Sequence, residues 1–315
     1  MKKWYVFLLL GWLACADSPV QNDQTPSSDT PDRWELCITI DDLPVVTRQR
    51  GDSVKAQITR KLLHNLKQYQ APAIGFVNEG KMYDRKTGEL SAFQKDLLIQ
   101  WLDAGMQLGN HTLTHPSYHR TEFEAYAKEI KDGETVTKAL LAERNQQLLY
   151  FRHPFLQTGN SQEKKEKLEQ FLAAEGYVTA PVTIDNSDWI YAAAYDKAII
   201  ERDSSMMRRI GESFVNYIEN KFIYFEGQSR KLFDRNIAHT LLLHANSINA
   251  DYLDDLLERL QQRGYKFVHL AKALEDPAYQ SESTYISNGG ISWLDRWALT
   301  RGKNKIAHFF RDEPL

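Results

Sequence analysis

Residues 35–42 read Glu35-Leu36-Cys37-Ile38-Thr39-Ile40-Asp41-Asp42, a short apolar run that ends abruptly in two carboxylates. By composition the run is a β-strand. Downstream of it, Val54, Ile58, Leu62 and Leu66 recur every four residues as one face of a helix, and residues 73–77 form the next strand. Phe93, Leu97, Leu98, Trp101 and Leu102 mark a second helix stopped by Gly105, with a short strand over 106–108. The pattern continues with a long helix near 122–141, a strand at 148–151, a helix up to Gly176 and a strand at 177–184. It closes with a strand at 237–243, a helix over 250–263 ended by Gly264, and a strand at 265–270. Strand and helix alternating in this way predict an α/β fold built around a parallel sheet. The alternation alone does not separate a barrel from an open sheet.

The chain has 315 residues, with 39 Lys plus Arg against 42 Asp plus Glu, for a net charge of −3. That balance excludes a polyanion-binding protein, which carries a concentrated basic patch. A hydrophobic fraction of 42%, with 7 Trp, 15 Tyr and 14 Phe, excludes wholesale disorder.

At the start, Lys2 and Lys3 precede an apolar run from Trp4 to Ala14, with Cys15 and a polar stretch directly behind. This is the layout of a secretory signal over 1–14, too short to span a bilayer. Its junction resembles the lipobox of bacterial lipoproteins, where such a cysteine is acylated, although Trp12 stands where Leu is preferred. The expectation is a protein exported to the bacterial cell envelope and attached to the membrane through Cys15. Residues 15–35 form a tether, rich in Ser, Thr, Asp, Gln and Pro and nearly free of apolar side chains. Cys37, left without a partner inside the first strand, reads as a small buried hydrophobe.

Five chemically loaded clusters fall at the C-terminal ends of these strands, where α/β barrels assemble active sites. Asp41-Asp42 places two carboxylates side by side, a repulsive pair suited to a metal or another cation; a helix cap or turn is the alternative. His111 and His115 lie four apart, and a helical turn would bring both imidazoles to one metal; solvated or core histidines would share the spacing. Pro116 discourages continuing that turn to His119. Arg152, behind an apolar strand, can hold a carboxylate with its planar fork or make a surface ion pair. Asp185-Asn186-Ser187-Asp188-Trp189 delivers carboxylates and an indole, or an Asx turn with a packing Trp. Leu241-Leu242-Leu243-His244 delivers a histidine at the exit of a buried strand, either catalytic or core.

Taken in order, the clusters resemble the motifs of the polysaccharide deacetylase family, carbohydrate esterase family 4. The residues that carry the likeness are Thr39-Ile40-Asp41-Asp42, His111-Thr112-Leu113-Thr114-His115, Arg152 with Pro154-Phe155, Asp188-Trp189, and Leu242 with His244. The resemblance covers residues 36–275 and implies a distorted (β/α) barrel, often of seven strands. It implies a divalent metal, zinc first, bound by Asp42, His111 and His115. Asp41 would be the general base, tuned by Arg152 and Asp188, and His244 the general acid. A backbone N–H near Phe155 would help hold the oxyanion, while Trp189 and Leu242 would wall the acetyl pocket. Three departures stand out: Leu43-Pro44 replaces the family's usual Gly, His153 separates Arg152 from Pro154, and Ala245-Asn246 follows His244 in place of an Asp.

Residues 192–235 read as a helical insertion, an extra packed helix pair or a lid, and 276–315 as a C-terminal extension. The function implied is a metal-dependent hydrolase removing acetyl groups, N-acetyl first, from an envelope or dietary glycan such as peptidoglycan or a chitin-like polymer. An O-acetyl esterase, a hydrolase of small amides or imides, and a non-catalytic glycan-binding lipoprotein are the alternatives. Fold and metal do not fix the substrate.

Overall fold

The computed structural model describes Met1, residues 34–84 and residues 86–303. The leader, Cys15 and the tether up to Arg33 lie outside the described residues. Among the described residues no helix is long and apolar enough to cross a membrane.

The strand read from residues 35–40 is β1 (Trp34–Leu43), and Leu36 through Ile40 are completely buried. It is followed by α1 (Asp52–Gln68), β2 (Ala73–Val77), α2 (Ala92–Asp103) and β3 (Gln107–Asn110). Next come α3 (Phe123–Asp132), α4 (Thr135–Ala142), β4 (Tyr150–Phe151), α5 (Gln162–Ala174) and β5 (Val178–Thr179). Two helices, α6 (Asp188–Glu201) and α7 (Ser204–Phe233), precede β6 (His239–His244) and α8 (Ser247–Gln262). The described residues end with β7 (Tyr265–Phe267), α9 (Leu270–Leu274) and α10 (Trp293–Thr300).

The strands form one seven-stranded sheet in the order β5-β4-β3-β2-β1-β6, every pair parallel. Parallel neighbours require crossovers, which the intervening helices supply while covering the outside of the sheet. Leu36 pairs with both His239 and Phe267, so β7 occupies the flank of β1 that β2 takes over from Ile38 onward. A single segment closes the ring. Ala180 N–H donates to Phe151 O (2.8 Å) at one end, and Thr183 and Ile184 N–H donate to Thr240 O (3.1 and 3.0 Å) at the other. Ile184 bridges Leu241 in parallel register. The fold is therefore a curled, distorted (β/α) barrel of seven strands, as the resemblance implied. Its rim at the strand C-terminal ends gathers all five clusters.

Two local expectations are corrected. The long helix over 122–141 is two helices, α3 and α4, broken at Gly133. A Cβ there would overlap the backbone of Thr112 and Leu113, so only glycine lets the helix end approach the loop carrying the histidines. The strand over 177–184 is ladder only at its two ends, because it must cross from β4 to β6. In addition, α6 begins at Asp188, so the fourth cluster and the helices expected from residue 192 are continuous. The face of α7 carrying Phe214, Ile218, Phe222 and Phe225 is buried, and Tyr195 on α6 donates to Asp251 on α8 (2.9 Å). The α6–α7 pair is thus packed structure.

Gly133→Ala should cost about 1–3 kcal/mol by forcing backbone against backbone. The readout is thermal unfolding, with Tm falling about 2–4 °C per kcal/mol; an unchanged Tm would show that residues 112–113 yield.

Candidate active site

Asp41 and Asp42 end β1, with Asp42 in the left-handed region at φ 69°. That turn of the backbone separates the two carboxylates. Asp41 is buried, with Arg152 Nε 3.4 Å from its Oδ1 and His111 Nε2 3.7 Å from its Oδ2. Asp42 instead faces His111 Nε2 and His115 Nε2, each 4.0 Å from its Oδ1.

The histidines converge by a route other than the helical turn expected from their spacing. Thr112 and His115 both have left-handed φ, 70° and 60°. Asn110 Oδ1 accepts from Thr112 N–H (2.7 Å), and Thr112 Oγ1 accepts from His115 N–H (3.0 Å). Glu129 on α3 accepts Leu113 N–H at its carbonyl (3.0 Å) and Thr114 N–H at its carboxylate (2.8 Å). Left-handed residues cost energy and persist where surrounding bonds over-determine them. The result is two rings 4.8 Å apart, with Phe155 packed edge-on to His115 at 4.4 Å. His119 lies elsewhere, held by Asn288 O and Gly159 N–H.

Asp42, His111 and His115 form a set whose ligand atoms all lie within 4.8 Å of one another. Two observations show that the set fits a divalent cation. His111 Nδ1–H donates to Arg152 O (2.7 Å), which leaves the Nε2 lone pair pointing at Asp42. Asp42 Oδ1 is buried and accepts no hydrogen bond. Burial holds both imidazoles below their usual pKa and hence neutral. Burial also disfavours the charge on Asp42, but the cationic Lys81 and His244 oppose it, and the carboxyl is held well below the usual range. Neutral imidazole and ionised carboxylate are the forms that bind metal.

Asp41 is tuned the other way. Burial pushes its pKa up to about 6, with Arg152 and His244 opposing. Arg152 is itself fully buried, its Nη1 donating to Ala180 O and its Nη2 to Thr39 Oγ1 (both 2.7 Å).

Asp188 was expected to tune Asp41, and its charge does help to raise that carboxyl; its hydrogen bonds go to His244. His244 Nδ1–H donates to Asp188 Oδ1 (2.6 Å), and Asp188 Oδ2 accepts from His244 N–H (2.8 Å) and Asn249 Nδ2 (2.6 Å). Asn246 Nδ2 adds a bond of 3.2 Å. The partner that the sequence lacks after His244 is thus supplied by the start of α6. Burial alone would depress His244, but the charge and hydrogen bond of Asp188, with Asp42 and Asp41, raise it to about 9. His153 goes down to about 3 through burial and the charges of Arg296 and Arg152, and it packs on Phe151 (5.0 Å) apart from the ligand set.

These groups floor a cavity of about 660 Å³ that Phe155, Trp189 and Leu242 also line. Phe155 and Trp189 are 54% and 59% exposed at its mouth. Two supports escaped the sequence reading. Asp196, buried on α6, accepts from Thr47 Oγ1 (2.9 Å), Arg48 N–H (2.6 Å), Gln49 Nε2 (2.9 Å) and Ser247 Oγ (2.6 Å), fixing the loop behind β1 at the rim. The C-terminal extension holds the opposite wall. Buried Arg296 donates to Leu156 O, Thr158 Oγ1 (2.7 Å) and Ile291 O (3.0 Å) and stacks over Trp293 at 4.2 Å. Gly290 sits so close to Phe155 O that a Cβ would overlap it. Phe155 and Leu156 are both left-handed, at φ 55° and 52°. A carboxylate inside a helix and an arginine near the C-terminus carry no motif signal; only the closed ring reveals their targets.

Residues 28–171 match the family model for polysaccharide deacetylases, so the likeness read from the clusters holds over that stretch. No curated protein sequence matches the chain. Among solved structures, a polysaccharide deacetylase from Bacillus cereus is similar at TM-score 0.51 and 20% identity, over 75% of this chain and 92% of that one. A CE4 family pseudoenzyme from Bacillus anthracis is similar at TM-score 0.50 and 16% identity, over 78% of this chain and 66% of that one. At these identities the two structures share the fold.

Asp188→Asn should bring His244 from about 9 down to or below the ordinary value near 6.5, followed by NMR titration of its imidazole. Because the folded pKa is the higher one, the pair's stabilisation is fully present below pH about 6.5 and lost as pH rises through about 9. An unmoved midpoint would assign the shift to Asp41 and Asp42.

Proposed function

We propose that this chain, a member of the polysaccharide deacetylase family, is a metal-dependent hydrolase that removes acetyl groups, N-acetyl first, from an acetylated glycan of the cell envelope. The observation that carries the reading is one constellation: a three-residue ligand set, a buried carboxylate raised toward neutrality and a histidine raised above it, all facing one cavity. A glycan-binding protein without chemistry needs neither the acid nor the base.

Asp42, His111 and His115 would hold the metal, with zinc as first candidate. When bound, it supplies a Lewis acid that lowers the pKa of water toward about 7 and polarises the acyl oxygen. Asp41 accepts the proton of the attacking water at a carboxylate oxygen, and Arg152 holds that oxygen in place. His244, its Nδ1 occupied by Asp188, donates from Nε2 to the departing nitrogen or oxygen. This division of labour follows from two titratable groups pushed in opposite directions by their surroundings. Leu242 and Trp189 enclose the acetyl methyl, and a backbone N–H near Phe155 shares the oxyanion's charge. Exposed aromatics at a broad mouth favour an extended glycan over a small amide or imide, since ring faces stack on sugar rings. Export and attachment to the envelope through Cys15 complete the proposal and would place the cavity beside peptidoglycan.

The test is acetate release from chitooligosaccharides, peptidoglycan and acetylated xylan by the zinc-loaded protein. Release from at least one glycan is expected; none from any, with metal bound, would sink the deacetylase reading. Asp41→Asn should retain zinc and lose about 10²–10⁴ in kcat, whereas His111→Ala should lose stoichiometric zinc. The rate should fall at alkaline pH as His244 gives up its proton near about 9. In Asp188→Asn that limb should move to lower pH, and a limb that stays in place while the His244 midpoint falls would remove His244 as the acid.

A further inference from the structure

The exit of β2 carries a segment that the scheme above does not use. Asn78-Glu79-Gly80-Lys81-Met82 leaves the sheet at the same rim as Asp41 and His111 and is bolted to its neighbours group by group. Asn78 Nδ2 donates to His111 O (2.5 Å), and Gly80 N–H donates to Leu113 O (2.8 Å). Glu79, fully buried, accepts from Val136 and Thr137 N–H (3.0 and 2.6 Å) at the start of α4. Held in this way, Lys81 is aimed at Asp42. Its Nζ donates to Asp42 O (2.8 Å) and stands 3.3 Å from Asp42 Oδ1. This is the same oxygen that faces both imidazoles.

We propose that Lys81 is a charge-tuning partner of the metal centre. Its ammonium shares the Asp42 carboxylate with the bound cation, so that the cation is held less tightly and draws more strongly on the oxygens it polarises. Two neutral imidazoles and one carboxylate leave a divalent cation with one uncompensated positive charge, and Lys81 adds a second close by. The nearby Asp41 carboxylate offsets part of this charge but is shared with Arg152, 3.4 Å from its Oδ1. Like charges in a partly dry site repel appreciably, and an ammonium 3.3 Å from the ligating oxygen competes with the metal for its charge. The turn that carries Lys81 is fixed by four hydrogen bonds to other elements, which keeps the root of its side chain beside Asp42.

This inference rests on Asp42, His111 and His115 being the ligands. The test is zinc affinity of the full chain by competition with a chromogenic chelator, with thermal unfolding as a check of integrity. Lys81→Met and Lys81→Gln should both bind zinc about tenfold tighter and deacetylate more slowly, while Lys81→Arg should stay near the wild type in affinity. Gln keeps a donor for Asp42 O without the charge, so tightening in both variants assigns the effect to charge. Equal or weaker affinity in the two neutral variants overturns the proposal, making Lys81 a strut for the loop. A wild type that binds no zinc overturns it together with the ligand reading. A wild type that binds zinc but releases no acetate overturns the deacetylase reading alone, and the affinity comparison still decides Lys81.

Discussion

A carboxylate at the end of a completely buried strand has to be compensated, and in this chain the compensation is the Asp41–Arg152 pair. Its geometry constrains everything around it. The guanidinium ties β1, through Thr39 Oγ1, to the closing segment, through Ala180 O, so the charge pair is also a brace across the barrel. The carbonyl of the same arginine takes His111 Nδ1–H and fixes which ring nitrogen faces Asp42. Burying two charges is costly unless each is satisfied by further bonds. Here Arg152 spends two of its donors on neutral oxygens and leaves Nε without a hydrogen bond beside an equally unbonded Asp41 Oδ1. The pair is thus incompletely satisfied, and Asp41 keeps a pKa of about 6 instead of becoming an inert salt bridge.

The Asp188–His244 pair is built on the opposite plan. Asp188 receives donors from His244 twice and from Asn246 and Asn249, leaving its charge fully committed. A saturated carboxylate stabilises imidazolium, and His244 rises to about 9. One carboxylate is starved of hydrogen bonds and the other saturated, and with that difference go the raised pKa of Asp41 and the raised pKa of His244.

Much of this was legible in the sequence. The apolar runs and four-residue periodicity gave the βα alternation, and strand ends located Asp41, Asp42, His111, His115, Arg152 and His244, because a rim position depends only on where a strand stops. Their company was harder to read. The histidine loop looked like a helical turn because spacing says nothing of left-handed residues, which here depend on Asn110 and Glu129 from other elements. The pairing of Asp188 with His244 was not read, because the path of α6 over the rim is set by packing against α8. Lys81 was passed over although it follows a strand, since a lone lysine in Asn78-Glu79-Gly80-Lys81 has no spacing partner and acquires meaning only beside Asp42.

The distribution of the site along the chain carries one further consequence. The candidate ligands, Asp41 and Arg152 all lie within residues 28–171, the stretch that matches the family model. Asp188 and His244, the Asp196 anchor and the Gly290–Arg296 clamp come from the remainder. These two contributions meet across the segment between β5 and Ile184, which pairs with β4 at its start and β6 at its end. An open sheet would leave Asp188 far from any partner and His244 without its raised pKa. Closing the ring is therefore the step that brings Asp188 and His244 to the rim where the candidate ligand set and Asp41 stand. The C-terminal extension then secures the left-handed Phe155–Leu156 corner against which His115 packs.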